Sequence, residues 1–132
     1  MNRFIVVDNK LIAIFDCYIM ADSYYKKESE KMRDISYNQA QEILKQTNGI
    51  LLDVRSYQEY CEEHLQNAIN IDLYNLERNV QNIIPNKQDV IITYCSCGTR
   101  SKQAQQILTQ LGYINVFNLK DGIYCRNIKF NK

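Results

Sequence analysis

The chain has 132 residues, 45% of them hydrophobic and 23% charged, which gives one domain with its own core and excludes disordered, collagen-like and coiled-coil classes. Sixteen Lys and Arg against fifteen Asp and Glu leave a formal charge of +1, so neither nucleic acid nor an anionic membrane is an expected partner. A single His excludes multi-histidine metal sites, and five Cys, an odd number without framework spacing, point to free thiols in a reducing cytoplasm.

At the N-terminus, Arg3 precedes two apolar runs, Phe4 to Val7 and Leu11 to Phe15, bounded or interrupted by Asp8, Lys10 and Asp16. A secretory signal needs roughly 7–15 continuous apolar residues and a membrane span about 20, and neither pattern is met. Asp16 also stands where a small residue would precede a lipid-modified Cys17. Residues 1–20 are expected to form a strand, a hairpin or a helix docked on the domain. Residues 21–34, with Lys26-Lys27-Glu28 and Glu30-Lys31, read as a solvated connector or short helix. The whole of 1–34 is thus an N-terminal extension to a domain over 35–132.

From residue 35 strands and helices alternate. Ser36-Tyr37-Asn38-Gln39 is a capping box that starts a helix with Ala40, Ile43 and Leu44 on one face, and Asn48-Gly49 stops it. Ile50 to Val54 reads as a buried strand, and Ser56-Tyr57-Gln58-Glu59 opens a second helix ending near His64. Ala68 to Ile71 is strand-like, Leu73 to Val80 a short amphipathic helix, and Pro85-Asn86 a loop. Val90 to Tyr94 is the most β-rich run; after a seven-residue turn, Ala104, Ile107, Leu108 and Leu111 define a helix closed by Gly112, and Ile114 to Phe117 adds a strand. This alternation predicts an α/β fold around a mainly parallel sheet.

Ligands of such sheets bind beyond the carboxyl ends of the strands, and one such end reads Cys95-Ser96-Cys97-Gly98-Thr99-Arg100-Ser101. A strand that delivers a cysteine to a helix N-terminus places it among unpaired N–H groups at a positive dipole end, a setting for a thiolate, a persulfide or a sulfur oxyanion. A free thiol of pKa near 8.5 is about 3% ionised at neutral pH, and a fall of roughly 1.5 units makes it half ionised. Helix dipole, amide hydrogen bonds and Arg100 together can supply that fall, so Cys95 is expected to have a depressed pKa.

The loop resembles the active-site loop of rhodanese-type sulfurtransferases: a cysteine, two residues, Gly, one residue, Arg and Ser. Leu52-Asp53-Val54-Arg55, Glu59-Tyr60, His64-Leu65, Ala68-Ile69-Asn70-Ile71 and Gly112-Tyr113 with Val116, Leu119 and Gly122 resemble the family's other signatures, so the likeness runs from Ile35 to Asn127. It implies a rhodanese-like α/β fold with five strands in a mainly parallel central sheet and helices on both faces. It also implies a ping-pong reaction in which Cys95 takes sulfane sulfur from thiosulfate or a persulfide donor and yields it to cyanide, a thiol or a partner protein. The amides from Ser96 through Cys97, Gly98, Thr99 and Arg100 to Ser101 would cradle the sulfur, Arg100 would orient the donor, and no metal or organic cofactor is needed. Glu63, Gln66 and Asn67 stand where the family has Gly, Pro and Gly, and Arg126 where it has Trp; Asn67 can still take a left-handed turn.

Three competing readings bear on the same residues. A cysteine-dependent phosphatase or arsenate reductase would place five residues between Cys and Arg, whereas four separate Cys95 from Arg100. A zinc site from Cys61, His64, Cys95 and Cys97 would need the helix after Val54 to stay near the loop. Parallel topology predicts instead that it runs back, leaving Cys61 and His64 roughly 17 Å away. Finally, the domain could be a sulfur-relay or non-catalytic interaction module. Asp53 and Arg55 are expected at the catalytic edge, supporting the loop through a carboxylate–guanidinium pair. Cys97 reads as loop filler or a second reactive thiol, Cys17, Cys61 and Cys125 as structural or incidental, and His64 as a turn residue.

Overall fold

The structure is a computed structural model that describes residues 3–16, 33–124 and 130–131. The expectations for Cys17, Cys125, Arg126 and the connector up to residue 32 lie outside the described residues. Strands β1 (Arg3–Val7) and β2 (Lys10–Ile14) form an antiparallel hairpin. Asp8 and Asn9 turn it at φ 51° and 62°, the left-handed pair that suits a two-residue hairpin turn and that Asp and Asn tolerate. Ile5, Val7, Ile12 and Ile14 are buried, whereas Phe4, Val6 and Leu11 face out.

The main sheet is built from β3 (Asp34–Ile35), β4 (Ile50–Asp53), β6 (Ile69–Asn70), β7 (Val90–Tyr94) and β8 (Asn115–Leu119). Its order is β3-β8-β7-β4-β6 and every pairing is parallel. The short β5 (His64–Leu65) pairs separately with β9 (Phe130–Asn131). Among the described residues four helices connect them: α1 (Tyr37–Thr47), α2 (Tyr57–Glu62), α3 (Leu73–Ile83) and α4 (Thr99–Gln110). Both predicted capping boxes are formed, at Ser36 with Gln39 and at Ser56 with Glu59.

Alternation along the strands splits the core into two layers. On one face Leu51, Ile92, Tyr94 and Phe117 pack with Ala40 and Ile43 of α1 and with the buried side of the hairpin. On the other, Leu52, Ile91, Cys95 and Val116 pack with Leu76 and Val80 of α3 and Ala104 and Leu108 of α4. The central β7 is buried along its whole length, as a strand covered on both faces must be. The expected seven-residue turn after it is a correction: only residues 95–98 intervene before α4 begins at Thr99. The helix starts early because Gly98, at φ 99°, turns the chain directly into it.

Candidate active site

Helix α4 begins without a side-chain cap, since its N-cap is Gly98. The sulfur of Cys95 occupies that role: the Gly98 N–H donates to Cys95 Sγ at 3.2 Å and the Ser101 N–H at 3.4 Å, while Ser101 Oγ lies 3.5 Å away. Cys95 is 1% exposed. Burial pushes its thiol pKa up, but hydrogen bonding with the Ser101 side chain and with the backbone of Ser101, Cys97 and Gly98 outweighs this and brings it below the ordinary thiol value. A Cβ on Gly98 would sit 2.5 Å from the Lys120 carbonyl oxygen, so this turn tolerates no side chain. The single hydrogen of Thr93 Oγ1 is shared between Ser101 O at 3.0 Å and Phe117 O at 3.2 Å, tying the first turn of α4 to β7 and β8.

Arg100 grips Glu59 with both ends of its guanidinium, Nη1 to Oε1 at 2.8 Å and Nη2 to Oε2 at 3.0 Å, and Nη2 also donates to Ser96 Oγ at 3.0 Å. Hydrogen bonding from Arg100 first, with help from Ser56, lowers the Glu59 pKa to about 2. The path of α2 differs from the expectation that the helix after Val54 runs away from the loop: Glu59 near its start bonds Arg100, and the Glu63 carbonyl at its end accepts from Arg55. The two-turn α2 is too short to cross the sheet, and it stays beside the Cys95 loop. The sequence marks Glu59 as a capping residue and as part of the family-like Glu59-Tyr60 stretch, but not as the partner of Arg100; the signal for that role is an arginine in the loop that needs a carboxylate.

Asp53 and Arg55, both buried, form the expected pair, with Arg55 Nη2 2.8 Å from Asp53 Oδ2. Arg55 Nη2 also donates to the Glu63 carbonyl at 2.7 Å. The Tyr94 hydroxyl donates to Asp53 Oδ2 at 2.8 Å and accepts from the Leu65 N–H at 3.0 Å. Burial and the neighbouring carboxylate push the Tyr94 pKa far up, so the phenol stays a donor. Tyr94, the residue immediately before Cys95, therefore ties the Asp53–Arg55 pair to the base of the loop, a contact that leaves no local pattern in the sequence. On the other side of the loop, the Ile123 N–H donates to Cys95 O at 2.8 Å. Ser96, Cys97, Thr99 and Ser101 complete the loop, with Cys97 and Thr99 exposed and Ser101 buried.

His64 stacks on Tyr60 at 3.9 Å between ring centroids, and its Nδ1 lies 2.9 Å from Tyr60 O. Among the described residues no group of three or more His, Cys, Asp or Glu is arranged to hold a metal, and none of the helices is long and apolar enough to cross a membrane. Asn67 takes the left-handed conformation at φ 67°, while Glu63 is extended at φ −165°.

A sequence profile of the rhodanese-like domain matches residues 36–124. The chain is 41% identical over 73 residues to the thiosulfate sulfurtransferase PspE of Escherichia coli K12, covering 53% of this chain and 70% of that one. It is 29% identical over 90 residues to the thiosulfate sulfurtransferase GlpE of Coxiella burnetii, covering 68% and 82%. Among solved structures, a rhodanese with anions from E. coli superposes with a TM-score of 0.59 at 34% identity, over 64% of this chain and 98% of that one.

Proposed function

The chain belongs to the rhodanese-like domain family, and on that premise we propose that Cys95 carries sulfane sulfur as a persulfide between a donor such as thiosulfate and a thiophilic acceptor. That it is a sulfurtransferase of the thiosulfate type follows from its relatives. The observation that carries the finer reading is the sulfur of Cys95 held by the Gly98 and Ser101 N–H groups at the start of α4.

Thiolate Cys95 attacks the outer sulfur of thiosulfate, the S–S bond breaks, and sulfite leaves with the bonding pair. Cyanide or a thiol then attacks the outer sulfur of the persulfide and Cys95 departs as thiolate, recovering the hydrogen bonds that held it at the start. The amides from Ser96 to Ser101 supply a preorganised anion cradle that requires no reorganisation during either step. Arg100 commits donors to Glu59 and Ser96, and a guanidinium has five N–H groups, so others remain to orient an anionic donor. Asp53, Arg55 and Tyr94 support the loop from beneath. Free thiols at Cys61, Cys95 and Cys97 favour a reducing compartment such as the cytoplasm.

Incubation with thiosulfate and cyanide should form thiocyanate, and Cys95→Ser should reduce kcat by about a thousandfold or more. Alkylation of Cys95 followed against pH should show a midpoint below that of a free thiol, since the folded site favours the charged form. A midpoint at the free-thiol value, with no thiocyanate formed by the wild-type chain and no sulfur adduct on Cys95 from thiosulfate, persulfide or mercaptopyruvate, would leave a non-catalytic interaction module as the better reading. Hydrolysis of an aryl phosphate lost with Cys95→Ser would favour a phosphatase.

A further inference from the structure

The loop holds a second thiol that this reaction does not use. Cys97 is exposed, whereas Cys95 is 1% exposed. The Gly98 backbone N–H donates to Cys95 Sγ at 3.2 Å, and four bonds separate that nitrogen from the Cys97 sulfur, so the two sulfurs lie within roughly 8 Å in any rotamer. A persulfide on Cys95 would carry its outer sulfur about 2 Å beyond Sγ.

Cys97 also lines a cavity of about 450 Å³ with Asp34, Lys102, Gln106, Asn118 and Lys120. Its wall bears both charges, with Lys102 Nζ 2.9 Å from Asp34 Oδ2 and Lys120 exposed. Asn118 is 2% exposed, and its Nδ2 donates to Asp34 Oδ1 at 3.2 Å. Its Oδ1 has no hydrogen-bond partner among the described residues. That oxygen is closed off from the cavity, and the polar groups that reach the opening are the partly exposed side chains of Asp34 and Lys102 and the exposed Lys120.

We propose that Cys97 is a second sulfur carrier, and that the cavity beside it seats a small thiol bearing both carboxylate and ammonium groups, an amino-acid or peptide thiol. The proposal rests on the persulfide reading of Cys95. A compact acceptor such as cyanide can reach into the buried site, but a bulky thiol meets Cys97 first. In the relay, the Cys97 thiol loses its proton to solvent and its sulfur attacks the outer sulfur of the Cys95 persulfide. A Cys97 S–S bond forms, the Cys95 S–S bond breaks, and Cys95 leaves as thiolate into its ring of N–H donors. The acceptor thiolate repeats the displacement at Cys97. Sulfur moves as a neutral atom throughout, so no oxidant or reductant is consumed.

The test loads the 132-residue chain with thiosulfate, quenches with an alkylating agent within the first turnover, and maps single-sulfur adducts by peptide mass spectrometry. Sulfur should reach Cys95 first and Cys97 next, faster than the exposed Cys61, and Cys95→Ser should leave Cys97 unloaded. In Cys97→Ser and Cys97→Ala the ratio of turnover with glutathione to turnover with cyanide should fall by about an order of magnitude. In Lys120→Gln the KM for glutathione should rise about 2- to 5-fold relative to that for 2-mercaptoethanol, the loss of one exposed charge contact. Sulfur on Cys95 with none on Cys97, loading of Cys61 as fast as Cys97, direct loading of Cys97 in Cys95→Ser, or an unchanged glutathione-to-cyanide ratio would overturn the relay while leaving the Cys95 reaction standing. No sulfur on Cys95 would remove the sulfurtransfer reading itself.

Discussion

The Glu59 carboxylate accepts from the Ser56 N–H at 3.2 Å and from both terminal nitrogens of Arg100 at 2.8 and 3.0 Å, so one side chain caps α2 and anchors the loop. Because its pKa is about 2 in the fold against an ordinary 4.5, the sign of its contribution is fixed. The stabilisation is complete above the unfolded value near 4.5 and is lost as pH falls through about 2. The side chains of Arg100 and Glu59 are 39% and 33% exposed, so water screens the pair, and Glu59→Gln should cost only about 1 kcal/mol of stability at neutral pH. The same change should lower kcat/KM for thiosulfate by about tenfold, because Arg100 and Ser96 lose a common anchor. A loss of several kcal/mol in urea titration, with catalysis intact, would instead make Glu59 a structural residue alone.

At the scale of elements, the loop is held from both sides, by α2 through Glu59 and by the segment around Gly122. A Cβ on Gly122, at φ 70°, would lie 2.2 Å from Ser96 O and 2.7 Å from Cys95 O. Neither obstacle is a flexible side chain, so Gly122→Ala must lift residues 121–124 off the loop and break the Ile123 N–H bond to Cys95 O. We expect about 2–4 kcal/mol of destabilisation, and a Cys95 alkylation midpoint moved back toward the free thiol as the loop amides lose their alignment; an unmoved midpoint would show that the segment does not position them. Such dependence on distant backbone explains what could be read from the chain in advance. Both capping boxes, the alternation of strands and helices, and the Cys95-to-Ser101 loop are local patterns, and local patterns survive translation into structure. The Glu59–Arg100 grip joins residues 41 apart in sequence, and the Tyr94–Asp53 bond does the same; neither leaves a periodic trace. The path of α2 differs from the expectation although its end lies within two residues of the expected one near His64, because its direction is set by contacts such as the Arg55 bond to the Glu63 carbonyl, which no capping pattern encodes.

Across the whole molecule, the hairpin of β1 and β2 lies outside the span matched by the rhodanese-like profile, yet its side chains enter the layer that holds Ile92, Tyr94 and Phe117. It is joined to the sheet by Asn115, buried in β8, whose Oδ1 accepts from the Phe15 N–H at 2.6 Å while its Nδ2 donates to Phe15 O at 2.7 Å and Gln88 O at 2.8 Å. A segment so satisfied by the sheet should unfold with it, not before it. Ile14, 3% exposed, then becomes a probe of the whole domain: Ile14→Ala should lower global stability by about 2–4 kcal/mol and leave a single unfolding transition with an unchanged slope against urea. Leu11→Ala, at a side chain 63% exposed, should stay within about 0.5 kcal/mol. An independent appendage behaves otherwise: Ile14→Ala would release hydrogen-exchange protection in the hairpin while the amides of β7 kept their wild-type rates. Because Tyr94 packs in the layer that the hairpin covers and immediately precedes Cys95, the cooperative outcome also predicts that Cys95 alkylation near the urea midpoint accelerates in Ile14→Ala in parallel with the loss of β7 protection.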